Sequence, residues 1–197
     1  MKTRYLTPDE VRRLAAASSA EEWLPLRVAV ETGLRIGDVL KIRAGDFVRG
    51  GVRYRAQKTG KLGHAALSDE LVLALYRSSR GSRWCFPSPR DSRRHLTRQA
   101  CWARMKRAAK RAGVDPLGVS PHSLRKVFAV ELLRRSNLGE VQRALQHDRL
   151  DTTELYALAD WATGSNAELP LTRGDLPRIV GQILALFGIG LDGGMKL

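Results

Sequence analysis

Carboxylates are in short supply in this 197-residue chain: 20 Asp and Glu stand against 34 Lys and Arg, a formal net charge of +14. So large an excess excludes a self-neutralised surface and points to a polyanionic partner, with nucleic acid first and a basic ribosome-associated protein as the plain alternative. Cysteine is scarcer still. Cys85 and Cys101 lie in no CxxC pair and near no histidine at ligand spacing, which excludes a disulfide framework and a structural zinc site. With no signal-like N-terminus, the expectation is two free buried thiols in a reducing cytoplasm. The longest apolar run, residues 183–189, is too short to cross a bilayer, so no membrane partner is expected. Neither a Walker-type loop nor a carboxylate cluster suited to magnesium is present, and no cofactor or metal is expected. Internal repeats and low-complexity tracts are absent too.

Hydrophobic residues make up 43% of the chain, enough for a packed core. Thr7-Pro8-Asp9-Glu10 is a capping box with proline at the first helical position, predicting a helix over residues 8–17. A second helix is expected over 21–32, ending at Gly33, and a short third over 34–42 with Arg35 at its start. Between residues 46 and 68 the period changes to that of short strands: Phe47-Val48, the alternation Val52–Arg55, and residues 65–67. Arg49-Gly50-Gly51 and Thr59-Gly60-Lys61 supply the turns, which puts Lys58 on a hairpin connection. The remainder reads as helical over 68–79, 96–112, 120–135, 139–146, 152–159 and 176–187, with 164–174 as a linker. The fold class expected is mainly α with a small antiparallel β-sheet.

His122 and Arg125 are three apart on one helical face. An HxxR pair in so arginine-rich a chain is usually surface decoration, a lone Arg35 is usually solvated, and a lone Tyr156 is usually a packing residue. Taken together with Lys58 and His147, they answer one chemical problem. Breaking a phosphodiester takes a nucleophile, neutralisation of the pentavalent phosphorane, and a proton for the leaving oxygen. Guanidinium forks bind non-bridging oxygens bidentately and never lose their proton. A tyrosine nucleophile gives a covalent product with a fair leaving group, so the strand can be rejoined without ATP.

The order and spacing of these residues resemble the tyrosine recombinase (phage integrase) family, from about Leu6 to Tyr156. One family box reads Glu31-Thr-Gly-Leu-Arg35-Ile-Gly-Asp38-Val-Leu40, and the sheet lysine lies within Gln57-Lys58-Thr-Gly-Lys61. A second box reads Pro121-His122-Ser-Leu-Arg125-Lys-Val-Phe-Ala129, followed by Val141-Gln-Arg-Ala-Leu-Gln-His147 and Asp151-Thr-Thr-Glu-Leu-Tyr156. The resemblance implies that Tyr156 is the nucleophile of a 3′-phosphotyrosine, and that Arg35 and Arg125 clamp the scissile phosphate. It implies further that Lys58 or Lys61, with Lys58 preferred, protonates the 5′-oxygen. His122 then assists proton transfer, His147 hydrogen-bonds the phosphate and Asp38 orients the site. Lys126-Val127, Gln146 and Ala157-Leu158 depart from the usual family residues, without removing a proposed catalytic group. The expectation is either a short form without a core-binding domain ahead of the box region, resembling the fimbrial-switch DNA invertases, or a fragment of a longer protein.

Arg98, Arg104, Lys106, Arg107, Lys110 and Arg111 make the helix over 96–112 the candidate DNA-tracking element, with Leu96, Ala100, Trp102 and Met105 facing the core. The expected organisation is a catalytic domain over 1–163, then a linker and C-terminal helix over 164–197 that either covers its own core or is exchanged between protomers. The expected partners are double-stranded DNA and further copies of the chain, as a tetramer on DNA, with helper proteins left open. The expected setting is the cytoplasm, at the nucleoid. Relaxation of supercoils by a type IB topoisomerase-like activity, and a catalytically silent DNA-binding regulator, are the two alternatives.

Overall fold

The computed structural model describes residues 3–133 and Val141. Among the described residues, the helices α1 (Pro8–Ala16), α2 (Ala20–Thr32), α3 (Ile36–Val39), α4 (Asp69–Ser79), α5 (Arg98–Arg111) and α6 (Pro121–Leu133) accompany the strands β1 (Phe47–Val48), β2 (Gly51–Arg55) and β3 (Leu62–Ala66). The chain divides into two units, Met1–Phe128 and Ala129–Leu197. The second is described only over 129–133 and at Val141, all of it helical. The expected helices over 152–159 and 176–187, the linker at 164–174 and the boundary near residue 163 lie outside the described residues, as does all but Val141 of the helix expected over 139–146.

Local chemistry sets most helix boundaries. The Thr7 hydroxyl accepts from the Glu10 N–H while Glu10 reaches back to the Thr7 N–H, and Ser19 and Glu22 repeat the arrangement at α2. Ser68 and Thr97 cap α4 and α5. Gly33 ends α2 in the left-handed region at φ +67°, and a Cβ there would lie 2.3 Å from the Phe128 ring.

The antiparallel sheet runs β1-β2-β3, with Val52 opposite Ala65 and Arg55 opposite Leu62. Here the structure corrects the sequence reading. The third strand starts at Leu62, three residues earlier than expected, because the Ala56–Lys61 connection closes on itself through Ala56 N–H to Lys61 C=O at 2.9 Å. Leu62 is 73% exposed, so backbone pairing rather than burial recruits it, and no apolar alternation announces it. The third helix is shorter than expected as well, since Lys41 and Ile42 donate to carbonyls three residues back and tighten the chain out of the α-helix.

The core of the first unit joins Leu14 of α1, Leu26 of α2, Leu71 and Leu75 of α4, Met105 of α5 and Leu124 of α6, all fully buried. On α5 the buried positions are Cys101, Met105, Ala108 and Ala109, a helical stripe that leaves Trp102 one step outside it. Trp102 is therefore 41% exposed rather than core-facing, with its indole N–H on the Val119 carbonyl and the Lys106 ammonium over its ring at 4.7 Å. Cys85 and Cys101 are free and buried, and burial pushes their thiols up to about 12 and about 11. Among the described residues, no helix is long and apolar enough to cross a membrane.

Candidate active site

Four chain segments that are remote in sequence meet at a cleft of about 380 Å³, and each contributes from the end of an element. The first is the turn after α2. The Thr32 hydroxyl donates to the Val28 carbonyl at 2.6 Å and accepts from the Leu34 N–H at 3.3 Å, and the left-handed Gly33 swings the chain about. Arg35 follows as the N-cap of α3, in extended conformation, with its side chain on the cleft.

The second segment is α6. Ser120–Pro121 opens the helix, and the buried Ser123 hydroxyl accepts from the Ser120 N–H at 3.2 Å. That fixes the first turn, where His122 is exposed on the cleft and Arg125, one turn on, is only 3% exposed. The Arg125 guanidinium donates to the carbonyl of Gly33. One helix-end carbonyl, unsatisfied within α2, thus ties the second arginine to the turn that presents the first. Lys126 goes elsewhere: its ammonium donates to the Thr3 carbonyl and is buried, so this departure from the family pattern serves packing.

The third segment is the hairpin connection. Asp38 in α3 is 4% exposed, and its Oδ1 accepts from the Gln57 N–H at 2.9 Å. The Gln57 side chain donates through Nε2 to the Gly37 carbonyl, also at 2.9 Å. Lys58 is the next residue, exposed and on the cleft, whereas Lys61 is not among the lining residues. The fourth segment is the start of α5, where Arg98 lines the same cleft.

Arg35, Lys58, Arg98 and Arg125 are gathered with His122 around a single buried carboxylate, Asp38. Such a hollow favours an anion with several oxygens, and fixed guanidinium donors suit a phosphate whose charge rises as it reacts. A tyrosine also stands nearby. Burial pushes the phenol of Tyr54 on β2 above its ordinary range; the Asp38 charge adds to that, and Arg125 and Arg35 offset part of it. A cavity of about 760 Å³, bounded by α2, α4 and residues 80–96, is larger but holds none of the candidate catalytic residues.

Of the sequence-selected set, Arg35, Asp38, Lys58, His122 and Arg125 meet here, while His147 and Tyr156 lie outside the described residues. Two polar lining residues, Gln57 and Arg98, went unassigned to this cleft by sequence. Gln57 carries no signal of its own, and Arg98 reads only as one more charge on a basic helix. The rest of that helix is divided. Arg107 and Lys110 are exposed, Arg104 lines the larger cavity, and Lys106 covers Trp102. Arg111 is committed internally, to the Ala17 carbonyl at 3.0 Å and to Glu22.

Residues 4–162 match the phage integrase family profile. The tyrosine recombinase XerD of Xanthomonas axonopodis pv. citri is 32% identical over 177 residues, which cover 79% of this chain and 58% of that protein. The XerD of Mycobacterium tuberculosis H37Rv is 35% identical over 137 residues, covering 67% of this chain and 43% of the relative. The chain spans about half the length of these relatives. Among solved structures, XerA recombinase superposes with a TM-score of 0.66 at 22% identity over 92% of this chain and 64% of its own. The lambda integrase catalytic core gives 0.61 at 25% identity over 76% and 94%. A lambda integrase tetramer bound to a Holliday junction gives 0.63 at 22% identity over 79% and 48%.

Proposed function

This chain belongs to the phage integrase family, and from that premise we propose that it cleaves and rejoins double-stranded DNA at specific sites through a 3′-phosphotyrosine. The observation that carries the reading is the joint placement of Arg35 and Arg125, 90 positions apart in the chain, on one cleft with Lys58. Tyr156 attacks the scissile phosphorus, forming a phosphorus–tyrosine bond as the bond to the 5′-oxygen breaks. Arg35 and Arg125 hold the non-bridging oxygens. Lys58 gives its proton to the leaving oxygen. His122 takes part in moving the tyrosine proton, and His147 hydrogen-bonds the phosphate. Rejoining is the same path in reverse, the 5′-hydroxyl attacking the phosphotyrosine, so neither ATP nor a metal enters the scheme. Arg98, Arg107 and Lys110 supply contacts to flanking phosphates. Exchange between two duplexes takes a homo-oligomer, in this reading a tetramer of the kind lambda integrase forms on a Holliday junction. The setting is the cytoplasm, at the nucleoid.

The test is to trap the covalent step. Full-length protein and its Tyr156→Phe variant are incubated with genomic and supercoiled plasmid DNA in EDTA, denatured, nuclease-treated and digested for peptide mass measurement. A nucleotide mass on the Tyr156 peptide is expected from the native chain alone, with DNA affinity nearly equal in both proteins. A variant that still cleaves rules out the nucleophile. Sequencing the trapped DNA then separates a recombinase, with a few recovered sites, from a relaxing enzyme with many.

A further inference from the structure

Lys58 stands on a connection that closes on itself and is joined to α3 through a single residue, Gln57. Ala56 N–H to Lys61 C=O at 2.9 Å and Gly60 N–H to Ala56 C=O at 2.8 Å close the turn on itself. Neither bond reaches another element. Lys58 itself makes no hydrogen bond or ion pair among the described residues. What joins the turn to α3 is its neighbour: the Gln57 N–H on Asp38 Oδ1 and the Gln57 amide on the Gly37 carbonyl. Two bonds from one residue fix both a position and a direction, where one would leave a pivot. The two groups pack closely: a Cβ added at Gly37 would lie 3.5 Å from both the nitrogen and the oxygen of the Gln57 amide, and 3.3 Å from the Arg98 Cδ. Arg35 is the N-cap of α3, so the same pair of bonds sets the distance between an arginine on the phosphate and the lysine beside its leaving oxygen.

We propose that Gln57 is a positioning residue for leaving-group protonation: its side-chain amide, anchored on the Gly37 carbonyl, aims Lys58 at the 5′-oxygen. This rests on the reading of Lys58 as the general acid. In that step the Lys58 ammonium passes a proton to the 5′-oxygen as its bond to phosphorus breaks, leaving a neutral amine and a 5′-hydroxyl. Placement of a proton donor is sensitive at the scale of an ångström, so loss of the anchor is expected to cost roughly 10- to 100-fold in cleavage rate.

Sulfur in place of the bridging 5′-oxygen provides the decisive readout, because a thiolate departs without a proton. Single-turnover cleavage is measured on a duplex carrying the site recovered from the adduct experiment, with either oxygen or sulfur at the bridge. Gln57→Ala and the isosteric Gln57→Glu, which keeps the shape and loses the donor, are compared with Lys58→Ala, Arg35→Ala and the native chain. Both Gln57 variants should be slow on oxygen and near the native rate on sulfur, like Lys58→Ala, while Arg35→Ala stays slow on both. Gln57 variants equally slow on both bridges, or unaffected on both, overturn the proposal while a rescued Lys58→Ala keeps the general acid in place. An unrescued Lys58→Ala removes the general-acid reading and the proposal with it. Melting temperatures of the two Gln57 variants show whether the fold is intact.

Discussion

Gly33 carries three duties on one residue. It ends α2 with a φ of +67°, leaves room for the Phe128 ring, and offers its carbonyl to Arg125. A methyl group at this position meets both a disfavoured backbone conformation and a ring atom at 2.3 Å. Gly33→Ala is expected to destabilise the protein by roughly 2–4 kcal/mol, read as a fall in melting temperature, from the sum of left-handed strain and overpacking. Cleavage should fall further than stability predicts, measured below the melting range, because the strained turn displaces the carbonyl that holds Arg125. Residues of this kind were half legible. The Gly33-Leu34-Arg35 run and the His122–Arg125 spacing mark from sequence residues that meet on the cleft, since each lies on a local turn or helix repeat. Gln57 does not, because its partners sit 19 and 20 positions away across an element boundary, and no periodicity registers such a contact.

Elements show the same division. Capping boxes and glycine stops are written in the local sequence, and the starts of α1, α4 and α6 and the end of α2 fall within a residue of where those signals put them. The start of β3 and the exposure of Trp102 are decided by partners elsewhere in the fold, and both were misjudged. The N-terminal segment is a further case. Arg4 donates to Glu10 at 3.0 and 2.8 Å and to the carbonyls of Leu117 and Asp115, strapping α1 to the lead-in of α6. Burial pushes the Glu10 carboxyl up, but hydrogen bonds and charge from Arg4, together with the Thr7 N–H, outweigh it and leave the group below its ordinary 4.5. A depressed carboxyl contributes stability that is present above the unfolded value and lost as pH falls through the folded one. Glu10→Gln should therefore lower the melting temperature at neutral pH and flatten its decline below about pH 4.5, relative to the native chain. Parallel acid profiles of the two proteins would contradict this.

Across the molecule, the surplus of positive charge is unevenly committed. Arg4, Arg12, Arg13, Arg27, Arg80 and Arg111 each meet a carboxylate, on or beside α1, α2 and α4. Arg43 and Arg83 instead stack on Trp84, at 5.1 and 4.9 Å from its ring, and pair with no carboxylate among the described residues. An aromatic face holds a guanidinium in place without spending its charge, so its donors stay open to an outside anion. If DNA is that anion, replacing both Arg43 and Arg83 with alanine should lower the log–log slope of affinity against salt by about 2, close to one counterion per phosphate contact. Arg80→Ala, whose guanidinium already meets Glu21, should leave the slope unchanged. Filter binding or fluorescence anisotropy across a salt series distinguishes them. Composition points to a polyanion; the fold shows which arginines among the described residues meet a carboxylate and which stack on an aromatic ring.

Arg80 and Gly81, both at positive φ on an exposed turn after α4, divide the chain in a telling way. Everything before that turn carries Arg35, Asp38, Gln57 and Lys58, and everything after it carries Arg98, His122, Arg125, His147 and Tyr156. Under the proposed mechanism, a protein severed there would distribute the phosphate clamp between two polypeptides, neither holding both arginines. Each half would be inert toward a phosphodiester until the other arrives, which makes this turn the natural seam for a two-part DNA-cutting switch governed by an added dimeriser.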